Sequence, residues 1–434
     1  MDPLRAEIPP PKLVSALRGY NLLPAIVFLP TRRRCDEAAT DVALDKSQKT
    51  EPERQAQRQT IFDDFALDFP EVVGHKHAKV IVRAGVAAHH AGHIPSWKLL
   101  IEKMMSAGLL NALFATSTVA AGVDFPARTV VITNADTRGN DGWRSLTASE
   151  LQQMTGRAGR RGRDNVGFVV LAPGQFQNPK KIAELLKAPP DALESRFRAT
   201  YTSLLNLLDA FGNFAQVREI AERSFAFRES RRASADSRQT DGAEKLSDRI
   251  WQPFDRRARV LDHFEYLDYD AQTVTESGKW LADLRIDRPL LVGEALKNGV
   301  FDNLKISEAA GLMASVASDA DRSYGEMRAT RKMTDILANF EDIVVAVSNV
   351  EWKNRVEPAE EINYSAAAAA ERWTAGMEWD ELVDRTKAEE GDLVRLLSRT
   401  GEALRQLANL RDSNPAAASI AQIAAEAILR EPVR

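Results

Sequence analysis

Along the first 190 residues, short apolar runs alternate with amphipathic stretches, the pattern of a parallel sheet covered by helices on both faces. The runs Ala25 to Leu29, Val80 to Val82, Val86 to His89, Ala112 to Ala115, Thr129 to Thr133 and Gly167 to Leu171 predict buried strands. Each is short, rich in Val, Ile, Leu or Ala, and bounded by polar or turn residues. Between them the spacing predicts helices at Arg32 to Ala43, Glu51 to Phe65, Ser96 to Ser106 and Ala148 to Met154. The last has a clear start signal, since Thr147 followed by Glu150 can form a capping box in which each side chain satisfies the other's free backbone donor.

After Ala188-Pro189-Pro190 helical periodicity takes over, so the proline pair marks a domain boundary. Glu229 to Asp255 is charged and almost free of apolar residues until Ile250, which reads as a linker or mobile loop. Val260 to Leu267, then Thr273-Val274-Thr275, then Gly278 to Leu284 predict a helix, a short strand and a second helix, an order that suits half of a winged helix. Residues 289–434 read as all-helical, with an alanine run at Ala366 to Ala370 and a long amphipathic stretch from Leu393 to Leu410. There is no internal repeat.

Composition narrows the class. With 434 residues there is room for two to four domains at about 100 to 200 residues each. The single cysteine, Cys35, permits no internal disulfide and points to a reducing compartment. Leu22 to Pro30, the longest uncharged apolar stretch near the N-terminus, is far short of the roughly 20 residues that span a bilayer. A soluble, cytoplasmic protein with no membrane partner is expected. The 58 basic and 62 acidic residues give a net charge of −4, which excludes a polybasic coat for nucleic acid but not a strand-gripping groove.

Two segments carry chemistry. Gln153-Met154-Thr155-Gly156-Arg157-Ala158-Gly159-Arg160-Arg161-Gly162 places Arg157 and Arg160 three apart, on one face if the segment is helical, with Gln153 one turn earlier. Two guanidinium forks among glycines can surround a phosphate, as an arginine finger does in phosphoryl transfer, worth about three to five decades in rate. The bland alternative is a solvated basic turn. Upstream, Ala115-Thr116-Ser117-Thr118-Val119-Ala120-Ala121-Gly122-Val123-Asp124-Phe125-Pro126-Ala127-Arg128 follows a strand and opens with three hydroxyl-bearing residues able to hold phosphate oxygens. Gly122 and Asp124 then offer a close backbone approach and a carboxylate suited to a ribose hydroxyl. Hydroxyls after a strand are also common caps.

Taken together these segments resemble the superfamily 2 helicases, in the exosome-associated, superkiller-type RNA helicase branch. Ala25-Ile26-Val27-Phe28-Leu29-Pro30-Thr31-Arg32 looks like motif IV, His89-His90-Ala91-Gly92 like motif IVa, Ala115 to Arg128 like motif V, and Gln153 to Gly162 like motif VI. The resemblance implies an α/β fold: a parallel-sheet RecA-like domain, the second of two, followed by a winged helix and an all-helical DSHCT domain. The expected layout is an interdomain lead-in at 1–24, the RecA-like domain at 25–188, the winged helix at 189–288 and the DSHCT-like domain at 289–434. Phe197-Arg198-Ala199-Thr200, Leu204 to Leu208 and Glu222-Arg223-Ser224-Phe225 resemble the start of the winged helix. Arg372 to Gly376 and Glu390 to Arg395 resemble DSHCT sequence.

Carried over, Arg157 and Arg160 would contact the γ-phosphate of ATP, with Gln153 beside the nucleotide and Gly122 and Asp124 near its ribose. Thr31, Arg32, Thr116 and the turn His90-Ala91-Gly92 would lie against the nucleic-acid backbone. Arg395 and Arg399, one turn apart, would track the strand, where the bland reading is a solvated face. Asp136 to Arg144 has the Gly and Asn content of a hairpin, which in this branch acts as a wedge, and otherwise is a surface loop. The branch commonly has Asn where this chain has Asp124. The short polar stretch 229–255 stands where eukaryotic members insert a large arch, so bacterial DSHCT-containing helicases look like the closer relatives, and a partner recruited through an arch is not expected.

The chain has no G-x-x-x-x-G-K-[ST] phosphate loop, its one Gly-Lys pair being Gly278-Lys279-Trp280, and no Asp-Glu-x-His motif. The groups that cradle the β-phosphate and hold Mg²⁺ would come from a first RecA-like domain, in cis or in trans, joined through Pro11 to Leu23. The expected function is the C-terminal portion of an ATP-dependent helicase acting on single-stranded or partly duplex nucleic acid, RNA favoured, as a monomer, and inactive as an ATPase alone. The alternative is a stand-alone nucleic-acid-binding or scaffolding module without catalysis. Five of six histidines fall between His75 and His93, but no cysteine or carboxylate stands at ligand spacing, so no metal site is expected. Cys35 reads as a buried bystander.

Overall fold

The computed structural model describes residues 6–48, 51–122, 126–139, 142–193, 195, 197–224, 227–228, 243–319, 322–358 and 361–434. The chain forms two compact units, one of residues 1–192 with 390–392, the other of residues 193–389 with 393–434.

In the first unit α1 (Pro10–Gly19) is followed by β1 (Ala25–Phe28), α2 (Arg32–Leu44), α3 (Pro52–Asp68), α4 (Ala78–Ala84), β2 (Val86–His89), α5 (Pro95–Ser106) and β3 (Ala112–Ala115). Then come α6 (Val119–Gly122), β4 (Thr129–Ile132), the hairpin β5 (Asp136–Gly139) and β6 (Gly142–Ser145), α7 (Ala148–Thr155), β7 (Phe168–Leu171) and α8 (Pro179–Lys187). Five strands make one parallel sheet in the order β2-β3-β1-β4-β7. Every residue of β1 to β4 is buried, which explains their unbroken apolar sequence, whereas β7 lies at the edge with Phe168 and Val169 exposed. On one face Val27, Ala88, Phe114 and Val131 pack with Leu13, Val14 and Leu17 of α1 and Ala38, Ala39 and Val42 of α2. Cys35 belongs to this core, and burial pushes its thiol well above the ordinary range, so it is an inert packing residue.

One expected strand is a helix. Val80 to Val82 lies inside α4, whose buried Ile81 and Val82 are adjacent positions on a short helical face. Three apolar residues in a row do not distinguish a strand from one buried helical turn. The capping box of α7 forms as expected, Thr147 accepting from the Glu150 amide and Glu150 from the Thr147 amide.

The second unit contains α9 (Tyr201–Phe211), α10 (Phe214–Glu222), α11 (Ala243–His263), the two-stranded β8 (Leu267–Asp268) and β9 (Thr273–Val274), and α12 (Glu276–Asp283). Helices α13 (Pro289–Lys297), α14 (Ile306–Ala317), α15 (Arg331–Lys353), α16 (Tyr364–Thr374), α17 (Trp379–Thr386), α18 (Glu390–Ala408, of which residues 390–392 count with the first unit) and α19 (Pro415–Ile428) follow. The linker expected over 229–255 is corrected in part: residues 229–242 lie outside the described residues, but 243–255 belong to α11. Its apolar residues are few, yet Ile250, Phe254, Ala258 and Leu261 recur at helical spacing, and the last three are buried. The alanine run of α16 is wholly buried, small side chains allowing α14 to pack closely against it.

Candidate functional site

Because the five strands are parallel, all their C-terminal ends lie on one edge of the sheet. The segments that leave β2, β3 and β1, three adjacent strands, carry His90-Ala91-Gly92, Thr116-Ser117-Thr118 and Pro30-Thr31-Arg32 respectively. The fold thus gathers residues up to 88 positions apart at the edge where open parallel sheets bind ligands.

The two segments with the strongest chemistry are joined backbone to backbone. Ala127 and Ala158 form a parallel bridge, the Ala127 amide donating to Arg157 O at 3.0 Å and the Gly159 amide to Ala127 O at 2.7 Å. Arg157 sends Nη2 and Nε to Ala120 O on α6, at 2.7 and 3.2 Å. Arg160 holds Asp164 in a two-pronged pair, Nε to Oδ2 at 2.7 Å and Nη2 to Oδ1 at 3.0 Å, and its amide also donates to Oδ2. These hydrogen bonds, opposed by burial, draw the Asp164 carboxyl down to about 2. The shared helical face expected for the two arginines is corrected. Helix α7 ends at Thr155, and Gly159, at φ +91°, turns the chain between Arg157 and Arg160. That turn packs on Gly167, where an added Cβ would stand 2.5 Å from Ala158 C, so only glycine fits. Gln153 is exposed on α7, and Gly122 ends α6. Asp124 lies outside the described residues.

Several side chains expected against a nucleic-acid backbone are engaged within the protein. Thr31 caps α2, its hydroxyl accepting from the Arg34 amide at 3.3 Å. Arg32 pairs with Asp392 of the same unit through Nη1 to Oδ2 at 2.7 Å. The His90 side chain is fully buried and its Nε2 meets Asp36 Oδ1 at 3.1 Å. Gly92 is buried too, its carbonyl accepting from the Gly391 amide at 2.9 Å, which leaves Ala91 as the exposed residue of that turn. Thr116 is half-buried and shares a hydrogen bond with Thr118 at 2.9 Å. In the second unit Arg399 binds Asp319 at 2.9 Å and Asp287 at 2.5 Å, and Arg395 stands 3.6 Å from Asp319. Acids on neighbouring loops, invisible to helical spacing, draw this face into the unit's own ion pairs.

The expected hairpin is present as β5 and β6, paired from Asp136–Ser145 to Gly139–Gly142, while residues 140 and 141 lie outside the described residues. Arg144 of β6 binds Glu150, the capping residue of α7, and Ser117 reaches Thr137 at 3.5 Å. Trp143 stays largely exposed, its ring 6.4 Å from that of Phe176.

Three residues escaped the sequence reading: Asp164, Gly167 and Asp36. The first was detectable, four positions after Arg160; Asp36 was not. It stands on α2, and its Oδ1 meets His77 Nε2 at 3.0 Å, His90 Nε2 at 3.1 Å and His93 Nε2 at 3.1 Å, while Lys76 Nζ holds Oδ2 at 2.8 Å. The carboxylate that no ligand spacing offers in the sequence is thus supplied by α2. Burial works against the Asp36 charge, but the three imidazoles and Lys76 outweigh it and hold the carboxyl well below its usual range. Burial, with the neighbouring His93, His77 and Lys76, pushes His75 down to about 2, and burial pushes His93 down to about 3, so both rings are neutral at pH 7.

Comparison with known proteins finds two domains in the sequence. Residues 77–162 match the helicase conserved C-terminal domain, and residues 271–434 match the DSHCT (NUC185) domain. The chain is 40% identical over 196 residues to the DExH-box ATP-dependent RNA helicase DExH15, chloroplastic, of Arabidopsis thaliana, covering 44% of this chain and 16% of that protein. It is 37% identical over 228 residues to mouse Superkiller complex protein 2, covering 51% and 18%. To the probable helicase HelY of Mycobacterium tuberculosis it is 34% identical over 220 residues, covering 50% and 24%. The matched region thus spans about a quarter or less of these relatives' length. Among the described residues no helix is long and apolar enough to cross a membrane. The chain thus carries a helicase C-terminal domain followed by a DSHCT domain, and its sequence is similar to those of superkiller-type helicases.

Proposed function

We propose that this chain supplies the arginine fingers and part of the strand-binding surface of an ATP-dependent helicase. The observation that carries the reading is the backbone pairing of Ala127 with Ala158, which fixes Ala127 and its neighbour Arg128 against the segment bearing Arg157 and Arg160. A nucleotide presented by a first RecA-like domain would meet Arg157 and Arg160 at its γ-phosphate, with Gln153, Gly122 and Asp124 nearby. Both guanidiniums would leave internal acceptors, Ala120 O and Asp164, to do so. Such fixed cations stabilise the charge that develops on the transferred phosphoryl group. Mg²⁺ would be held by the first domain, so the chain alone is inactive as an ATPase. The layout 1–24, 25–188, 189–288 and 289–434 for lead-in, RecA-like domain, winged helix and helical domain accompanies this reading.

RNA is the favoured strand, because the relatives include proteins named as RNA helicases. Of the strand contacts, Thr116 and the exposed Ala91 turn remain available at the sheet edge, while Arg32, Arg395 and Arg399 would have to exchange ion pairs for phosphates. The test is to supply a first RecA-like domain from a superkiller-type relative, fused or in trans, and to measure strand-stimulated ATP hydrolysis. Activity should appear only with both parts, and Arg157→Ala or Arg160→Ala should lower it by about 10³- to 10⁵-fold. Strong activity of the chain alone, or indifference to both substitutions, would sink the proposal. Strand binding that ignores ATP throughout would favour the non-catalytic module.

A further inference from the structure

A buried cluster beneath the C-terminal edge of the sheet is left over from the helicase reading. Asp36 Oδ1 stands within 3.1 Å of three imidazole nitrogens, Nε2 of His77, His90 and His93. The side chains of the three histidines are 0 to 3% exposed and that of Asp36 is 16% exposed. A carboxylate oxygen offers about two lone-pair directions, so three ring donors on one oxygen exceed what hydrogen bonding needs. His77 and His93 leave their Nδ1 atoms buried with no hydrogen-bond partner. Converging imidazoles and a carboxylate, drawn from α2, from the residue before α4 and from the turn after β2, are the donor set of a transition-metal centre.

We propose that Asp36 Oδ1, His90 Nε2 and His93 Nε2 bind one divalent transition-metal ion, zinc foremost. Their ligand atoms lie within 4.8 Å of one another. The two Asp–His separations of 3.1 Å match the roughly 3.3 Å edge that tetrahedral zinc imposes on ligands about 2.0 to 2.1 Å away. His77 and Lys76 then act as outer partners that orient the carboxylate, and the exposed Lys76 side, where the cluster reaches solvent, is the entry path. Zinc soaks up the surplus on Oδ1 that hydrogen bonds alone leave. Filling the site costs one contact, because His90 bound through Nε2 carries its proton on Nδ1, which now accepts from the Gly92 amide at 3.2 Å. An occupied site therefore clips α2 to the turn after β2 while releasing the Gly92 amide. The role is structural: it fixes Thr31, five positions before Asp36, relative to the His90 turn.

The test uses the full 434-residue chain, stripped with EDTA and titrated with zinc sulfate alone, by calorimetry and by metal analysis after gel filtration. About one zinc per chain should be retained, the melting temperature should rise, and hydrogen exchange at the Gly92 amide should quicken. Asp36→Asn and His93→Ala should abolish retention, His77→Ala should weaken it by about 10- to 100-fold, and His263→Ala, at an exposed site, should change nothing. Should the ligand variants fail to fold, cobalt(II) bound to the wild type supplies the second readout: a visible d–d band of nitrogen and oxygen ligation without the near-ultraviolet thiolate band. Folded wild type that retains no zinc, a folded His93→Ala that retains all of it, or thiolate absorption from Cys35 would each overturn the assignment.

Discussion

Arg58 is a cation inside the first unit, 2% exposed, and its guanidinium satisfies three backbone carbonyls: Val82 O at 2.7 Å, Leu109 O at 3.2 Å and Arg83 O at 3.3 Å. Val82 and Arg83 belong to the last turn of α4, where carbonyls have no intrahelical donor and the helix dipole favours a positive charge. Gly85, the left-handed residue that ends α4, lets the guanidinium approach, since an added Cβ there would stand 2.8 Å from Arg58 Nη1. Replacing Arg58 by Met keeps the apolar stem and its volume but strips the donors. Each buried carbonyl left without a partner costs about 1 to 3 kcal/mol, offset in part because Met carries no charge to desolvate. The net expectation is about 3 to 5 kcal/mol, comparable to breaking a buried ion pair. Since the chain has two units, a global melting curve would mix their transitions, so native-state hydrogen exchange is the proper assay. Protection of the amides in α3 and α4 should fall by about 10² to 10³·⁵, at 1.4 kcal/mol per decade, with the second unit unchanged. Arg58→Lys, able to reach one carbonyl, should fall between. A loss below about 1 kcal/mol in Arg58→Met would show that water re-solvates the three carbonyls and that the guanidinium is not what holds α4.

Other expectations follow from single contacts. The Asp164 carboxyl sits near pH 2, below its ordinary value of 3.8, so the Arg160 pair stabilises the first unit above about pH 4 and this is lost as pH falls towards 2; acid titration of Asp164→Asn should show a flatter limb, by about 2 kcal/mol. Gly278→Ala would place a Cβ 1.9 Å from Tyr266 O, a backbone atom, so thermal unfolding of the second unit should shift downward by more than 10 °C or the unit should not fold, whereas Gly376→Ala, with open space but φ +101°, should cost only about 1 kcal/mol. Thr147→Ala removes half of the α7 capping box and should cost about 1 kcal/mol in urea denaturation, with Glu150→Ala costing more because Glu150 also anchors Arg144 of the hairpin.

The zinc proposal and the helicase proposal stand apart. The first concerns residues under the sheet edge and is read from metal content; the second concerns Arg157 and Arg160 and is read from ATP hydrolysis. Either can fail while the other holds.

Much of this molecule was legible in its sequence. The unbroken apolar runs of β1 to β4 marked a parallel sheet because strands buried on both faces carry no alternation. Thr147 and Glu150 announced α7, and the Arg-Gly cluster and the Thr-rich stretch marked the two segments that the Ala127–Ala158 bridge joins. Periodicity failed where the local signal was ambiguous: three apolar residues at Val80 to Val82 were one helical turn, and the sparse apolar positions of α11 hid in charged sequence.

Tertiary structure alone decided which side chains meet. The pairing of Ala127 with Ala158 joins segments about thirty residues apart, and the turn at Gly159 takes Arg157 and Arg160 off a common helical face. Asp36 reaches His77, His90 and His93 only because α2 packs beneath the turn that leaves β2, and Asp319 and Asp287 claim Arg399 across loops with no fixed register. Hydrophobic period and motif spacing are properties of neighbours along the chain, so they fix elements and residue types. Charge partners and ligand sets depend on the angle at which those elements cross, and that is set by packing.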